Sequence, residues 1–299
     1  MKLFSILFFS VLLAFPHPNA TLKPYIIGIE SSESIATLKT KVEAQLKLNK
    51  IKIIGRTKPA GDHNRWVLAV TTTDLDKAVQ KTGGLTGFGS VLRIAFTREQ
   101  NKTIVSYTNP SYWGNAYFQK KYPEVATNYA TFHLRLKRAF AGVGSYSGKE
   151  FGSNSGLSAS KLRSYQYMYG MPDFNDTEVL KTFSSHTAAV THIDAKIKAG
   201  VPNVRLVYKH KVPGKNLTLY GFALSGSTGE SHFLPTIDIG KPKHTAFLPY
   251  EVLVKDKEVH MLHGRFRIAL SFPDLTMSTF MKIMSTPGDI EDLLTAVVK

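Results

Sequence analysis

The chain has 299 residues, 43% of them hydrophobic and 20% charged, and its 38 Lys and Arg outnumber 22 Asp and Glu for a net charge of +16. That length holds one large domain or two of about 100–150 residues, and the composition is that of a packed chain, not a disordered one. Cysteine is absent, which excludes disulfides, Cys-ligated zinc, iron–sulfur clusters and thiol nucleophiles.

Residues 1–20 read as a secretory signal peptide: Lys2 precedes the apolar run Leu3 to Phe15, and Pro16, Pro18 and Ala20 follow. Such a run spans only about 20 Å as a helix, short of a hydrocarbon core of about 30 Å. A leader cleaved after Ala20 is therefore expected in place of an anchor, putting the mature chain in the periplasm or outside the cell.

Residues 21–143 form the first predicted domain. Tyr25 to Ile29 reads as a strand, and Ser31, Ser32 and Ser34 offer caps for a helix carrying Ile35, Leu38, Val42 and Leu46, the spacing of one helical face. Asn49 is expected to end it in a left-handed turn. Strands follow at Ile51 to Arg56 and Arg65 to Val70. A short helix from Asp74 to Gln80 stops at Gly83-Gly84, and strands Val91 to Phe96 and Thr103 to Tyr107 flank a polar hairpin. Pro123 opens a long helix striped by Val125, Tyr129, Phe132, Leu136 and Phe140.

Residues 144–180 form a connector, Gly- and Ser-rich at first, with a short helix capped by Ser158 and an aromatic cluster at Tyr165, Tyr167, Tyr169 and Phe174. Residues 181–299 repeat the order of the first domain. Ala189, Ile193 and Ile197 line a helix, and strands are expected at Val204 to Val212, Leu217 to Leu224, Glu251 to Val254, Val259 to Leu262 and Phe266 to Phe272. Two helices, Met277 to Met284 and Asp289 to Val298, close the chain, the second capped by Thr286. The fold class is thus α+β: two related domains, each an antiparallel sheet with helices on one face.

The stretch Ser106-Tyr107-Thr108-Asn109-Pro110-Ser111-Tyr112, entered from a strand, a charged hairpin and a strand, resembles the signature of domain-of-unknown-function family 302. The second copy, Leu270-Ser271-Phe272-Pro273-Asp274-Leu275, keeps the Pro and loses both Tyr positions. The resemblance covers about residues 25–140 and, more weakly, 183–298. It implies a TATA-box-binding-protein-like α+β domain and supplies no chemistry.

The search for chemistry returns few assembled patterns. Gly83 to Gly89 is Gly-rich but precedes a strand, whereas phosphate loops open helices, so it reads as a connector. Ser158-Ala159-Ser160-Lys161 matches S-x-x-K, yet Lys81-Thr82-Gly83 lies upstream of it; a helix cap and a solvated Lys explain it better. His232, His244, His260 and His263 gather with Asp238 in the second half without a metal-ligand spacing. Tyr107, Tyr112 and Trp113 suit either a corner of the core or a pocket for a partly apolar ligand. Arg265 and Arg267 would share one face of a strand, ready for a carboxylate or phosphate.

The expected ligand-binding set is Tyr107, Tyr112, Trp113, His244, His263 and Arg265, with no catalytic residue, no metal and no cofactor. A continuous pocket from Tyr112 and Trp113 to His244 is its premise. The leading function is a non-enzymatic envelope protein that binds a small or lipid-like anionic ligand. The alternatives are a His-dependent metal or non-covalent haem protein and a module that docks another envelope protein. Residues 25–143 carry a net +10 and residues 181–299 a net +5, so an anionic membrane surface would meet the first domain. Export argues against a nucleic-acid partner.

Overall fold

The computed structural model describes residues 20–299, so residues 1–19 of the expected leader lie outside the described residues. In chain order its elements are β1 (Thr21–Leu22), β2 (Tyr25–Ser31), α1 (Ile35–Leu48), β3 (Lys52–Thr57), β4 (Arg65–Thr71), α2 (Thr73–Thr82), β5 (Leu92–Glu99), β6 (Lys102–Thr108), α3 (Pro110–Phe118) and α4 (Tyr122–Ala141). The connector holds β7 (Glu150–Phe151), β8 (Leu157–Ser158) and α5 (Ala159–Arg163). Then come β9 (Thr177–Thr182), α6 (His186–Ala199), β10 (Val204–Lys211), β11 (Leu217–Leu224), α7 (Glu230–Ile237), β12 (Tyr250–Lys255), β13 (Glu258–Leu262), α8 (Gly264–Ser271), α9 (Met277–Met281) and α10 (Thr286–Thr295).

Two large antiparallel sheets result, ordered β3-β4-β5-β6-β2-β7 and β10-β11-β12-β13-β9, and β1 pairs with β8 in a small third one. Apart from β7, which the connector adds, strand order is the same in both large sheets. The amphipathic helices form where the apolar spacing places them. Ser34 caps α1 by accepting from the Thr37 amide, and Ile35, Leu38, Val42 and Leu46 are its buried face. In α4 the stripe from Val125 to Phe140 is buried as the spacing requires. Ser158 caps α5 by accepting from the Lys161 amide.

Three local expectations change. The left-handed residue after α1 is Lys50 (φ 58°), not Asn49. The last helix starts at Thr286 behind Ser285, one residue before the expected cap. The largest correction is at Phe266 to Phe272, where the strand is helix α8, capped by the side chain of His263 accepting from the Arg265 amide. Nearly every residue of α8 is buried, as in α3. A helix enclosed on all sides has no polar face, so the Arg-Phe-Arg alternation imitated a strand.

One apolar core runs through both halves. The helical turn at 84–90 lies on β11 and β12 of the other sheet, and the turn at 245–247 lies on β4, β5 and β6. Gly87 permits the first contact, because a Cβ there would stand 2.7 Å from a Leu253 methyl. Edge strands β3 and β10 also meet, and a Cβ on Gly55 would stand 2.6 Å from the Val207 carbonyl oxygen.

Ionic contacts cross the same junction. Arg93 on β5 pairs with Glu251 on β12, both buried, and Arg267 of α8 stands 3.8 Å from the same carboxylate. Burial, reinforced by Glu251, pushes the Tyr208 phenol well above its usual range, so its OH stays protonated and donates to Glu251. Arg267 also donates to the Phe247 carbonyl at 2.5 Å and lies 4.9 Å from the Trp113 ring centre. Elsewhere Arg65 pairs with the buried Asp238, and Glu230 accepts from the Ala60 amide at 2.7 Å and the Leu224 amide at 3.1 Å.

Two outcomes follow. Glu251→Gln leaves two guanidinium groups without their counter-charge and should cost about 3–5 kcal/mol in urea unfolding, with both halves lost in one transition. Burial also pushes the Glu230 carboxyl from 4.5 up to about 7. Between those values the folded chain binds more protons than the unfolded one, so stability falls as pH rises through that window, by about 3 kcal/mol in all. The neutral, buried His133, pushed down to about 4, acts oppositely, weakening the fold as pH drops below 6.5. The difference between the wild-type and Glu230→Gln stability–pH profiles isolates the Glu230 slope; equal slopes would refute it.

Candidate functional site

The six expected site residues fall in separate places. Tyr107 on β6 is buried among the outer helices, its OH 2.9 Å from His133 Nε2 and 2.7 Å from the Tyr146 hydroxyl. Tyr112 and Trp113, on α3, are buried at the junction of the halves. The Tyr112 OH donates to the Leu270 carbonyl at 2.9 Å, and Trp113 Nε1 donates to the Pro24 carbonyl at 2.8 Å. Their polar atoms are thus spent on the backbone.

Among the described residues, the line from Tyr112 and Trp113 to His244 is occupied by a side chain. Tyr25 fills the route, with its ring 6.4 Å from Trp113 on one side and 5.0 Å from His244 on the other. His244 stacks on Phe272 at 4.8 Å and borders a separate surface cleft with Lys23, Lys149 and Lys241. Burial lowers its pKa. The cleft mixes those lysines with Glu150, Asp238 and Asp274, so it presents no uniform field to an ion.

Arg265 and Arg267 do not share a face. Arg267 is buried at the junction, while Arg265 is exposed on the outer side of α8 beside His263. His263 is half-buried, with Nε2 3.5 Å from Glu178, and burial lowers its pKa. Both ring nitrogens of His260 are engaged, by Thr177 at 2.9 Å and Glu258 at 3.1 Å. Among the described residues no three His, Asp or Glu side chains converge to hold a metal ion.

Arg265 borders a narrow apolar pocket of about 40 Å³. Phe266, Ile268 and Ala269 of α8 form one wall. Leu275 with Met277 and Phe280 of α9 form another, and Tyr167, Met171 and Pro172 of the connector close the third. The connector is held in place by its own aromatics: Tyr165 and Phe174 are buried, each with its ring 6.1 Å from Phe266. Two of the lining residues, Tyr167 and Met277, are themselves exposed, and exposed apolar side chains at a pocket mark a binding surface.

The Arg265 side chain makes no ion pair among the described residues. A single cation at the rim of an apolar pocket can orient an amphiphile: the guanidinium takes the oxyanion and the pocket takes carbon. The sequence reading missed Tyr167, Met171, Met277 and Phe280. Their signal is distribution, since five of the seven Met lie within 168–171 and 277–284. Thioether side chains are flexible and polarisable, and suit a wall that adapts to its occupant.

Among the described residues no helix is long and apolar enough to cross a membrane. No family model matches the sequence, and no curated protein is similar to it. The chain resembles the crystal structure of the uncharacterized conserved protein DUF302 from Bacillus stearothermophilus, at 12% identity over 40% of this chain and 97% of that one, with a TM-score of 0.36.

Proposed function

We propose that this chain is a non-enzymatic binding protein of the cell envelope whose ligand is an anionic amphiphile. The oxyanion of the ligand faces Arg265, and its alkyl chain enters the pocket between α8, α9 and residues 167–172. The observation that carries this reading is the unpaired guanidinium at the rim of an otherwise apolar pocket. The leader-like residues 1–20 and the net charge of +16 support a place among anionic surfaces outside the cytoplasm. We read the two halves as tandem copies of a family 302 domain, supported by their shared strand order. In that reading the pocket belongs to the second copy and the connector, where the two Tyr positions of the signature are lost.

Native mass spectrometry with a medium-chain fatty acid and a single-chain phospholipid tests the proposal. One bound molecule per chain is expected. Arg265→Gln should weaken binding about 5-fold, because an exposed charge contact contributes about 1 kcal/mol. Ala269→Phe, which fills the pocket, should abolish binding at an unchanged melting temperature. The reading fails if neither amphiphile binds, or if well-folded Ala269→Phe binds as the parent does.

A further inference from the structure

We propose a second binding site, in the groove between the two halves, for a small molecule carrying two or more phosphate groups. It is independent of the amphiphile pocket, and different residues carry it. The groove measures about 590 Å³. The first half supplies Arg56, Thr57, Lys58 and Trp66, and the second half supplies Arg205, Ser225 and Ser231.

Its electrostatics are one-sided. Arg56 is neutralised by Glu43, through hydrogen bonds of 3.0 and 2.9 Å. The carboxylate at the floor, Glu230, is turned to the Ala60 and Leu224 amides. Lys58 and Arg205 face the groove without an ion pair among the described residues, and Glu230 acts on Arg205 only through its field. Trp66 also holds a second cation from outside the groove: Lys39 Nζ, in the neighbouring cleft, lies 3.7 Å from its ring centre, and Lys58 Nζ lies 5.0 Å from it. The indole draws two ammonium groups to one place that would otherwise repel each other.

Arg205 is fixed across the junction by one hydrogen bond, its Nη2 donating to Thr57 Oγ1 at 2.9 Å. Its remaining N–H groups are left for a ligand. Guanidinium, ammonium and hydroxyl donors together suit a tetrahedral oxyanion, which accepts from several directions at once. Two or more phosphates joined in one molecule can meet both cations, Lys58 from the first half and Arg205 from the second.

The chain contains its own reporter. Of its two tryptophans, Trp113 is fully buried and Trp66 lines the groove. Titration with tripolyphosphate, read by tryptophan fluorescence and by calorimetry, should give one saturable site that weakens with added salt. Trp66→Phe should remove the optical change but keep measurable heat. Arg205→Gln and Lys58→Gln should each weaken binding about 5- to 10-fold, while Lys120→Gln, an exposed cation elsewhere, should leave it unchanged. Orthophosphate should bind far more weakly, and citrate, a polyanion of carboxylates, should not replace tripolyphosphate. Ala269→Phe should bind tripolyphosphate normally, so failure of the amphiphile pocket and failure of this groove are told apart. No saturable heat up to about 1 mM ligand, equal affinity in the Arg205→Gln/Lys58→Gln double variant, or citrate binding as tightly would each overturn the proposal.

Discussion

Glu251 holds the molecule's most exacting position. It is a buried carboxylate on one sheet that faces Arg93 from the other sheet and Arg267 from α8. Two cations against one anion leave a net positive charge in the interior, which is costly unless dipoles surround it. The surrounding structure supplies those dipoles to Arg267 through the Phe247 carbonyl and the face of Trp113, while the Tyr208 hydroxyl donates to Glu251 itself. Phe247 lies in a turn and Trp113 in a helix that one half presses against the other. The halves are therefore not beads on a string, and the connector crosses a junction that is already closed.

That closure explains where the expected site residues lie. Tyr107, Tyr112 and Trp113 drew attention as amphipathic aromatics mixed with amides. In the fold those polar tips are the means by which large rings can be buried at all, since each finds a partner within the protein. Arg265 emerged from the sequence for a mistaken reason, a strand face shared with Arg267. It nevertheless stands at a pocket, because one residue of that pair was consumed by the core and the other was left outside.

What was legible follows from period. The helices α1 and α4 each bury one face against a sheet, so their apolar residues recur at helical spacing, and the hairpins between strands carry turn residues. The burial of α3 and α8 on all sides erases that pattern, and α8 was accordingly read as a strand. The pockets were illegible for another reason. Tyr167, Met171 and Met277 come together only when the connector folds back on α8 and α9. The groove likewise needs β3 and β10 to meet, and no local pattern records that meeting.

The contact of Arg267 with Trp113 has a further meaning. Each residue is the fourth after its helix cap, Asn109 for α3 and His263 for α8, and the two helices occupy matching places in the two halves. In a symmetric pair of separate chains, that position would face its own copy across the axis: indole against indole, or guanidinium against guanidinium. The second of these is repulsive. Joining both halves in one polypeptide frees the two positions to differ, so a cation can meet a ring where symmetry would have forbidden it. The same freedom lets one half carry an apolar pocket without obliging the other to carry its twin.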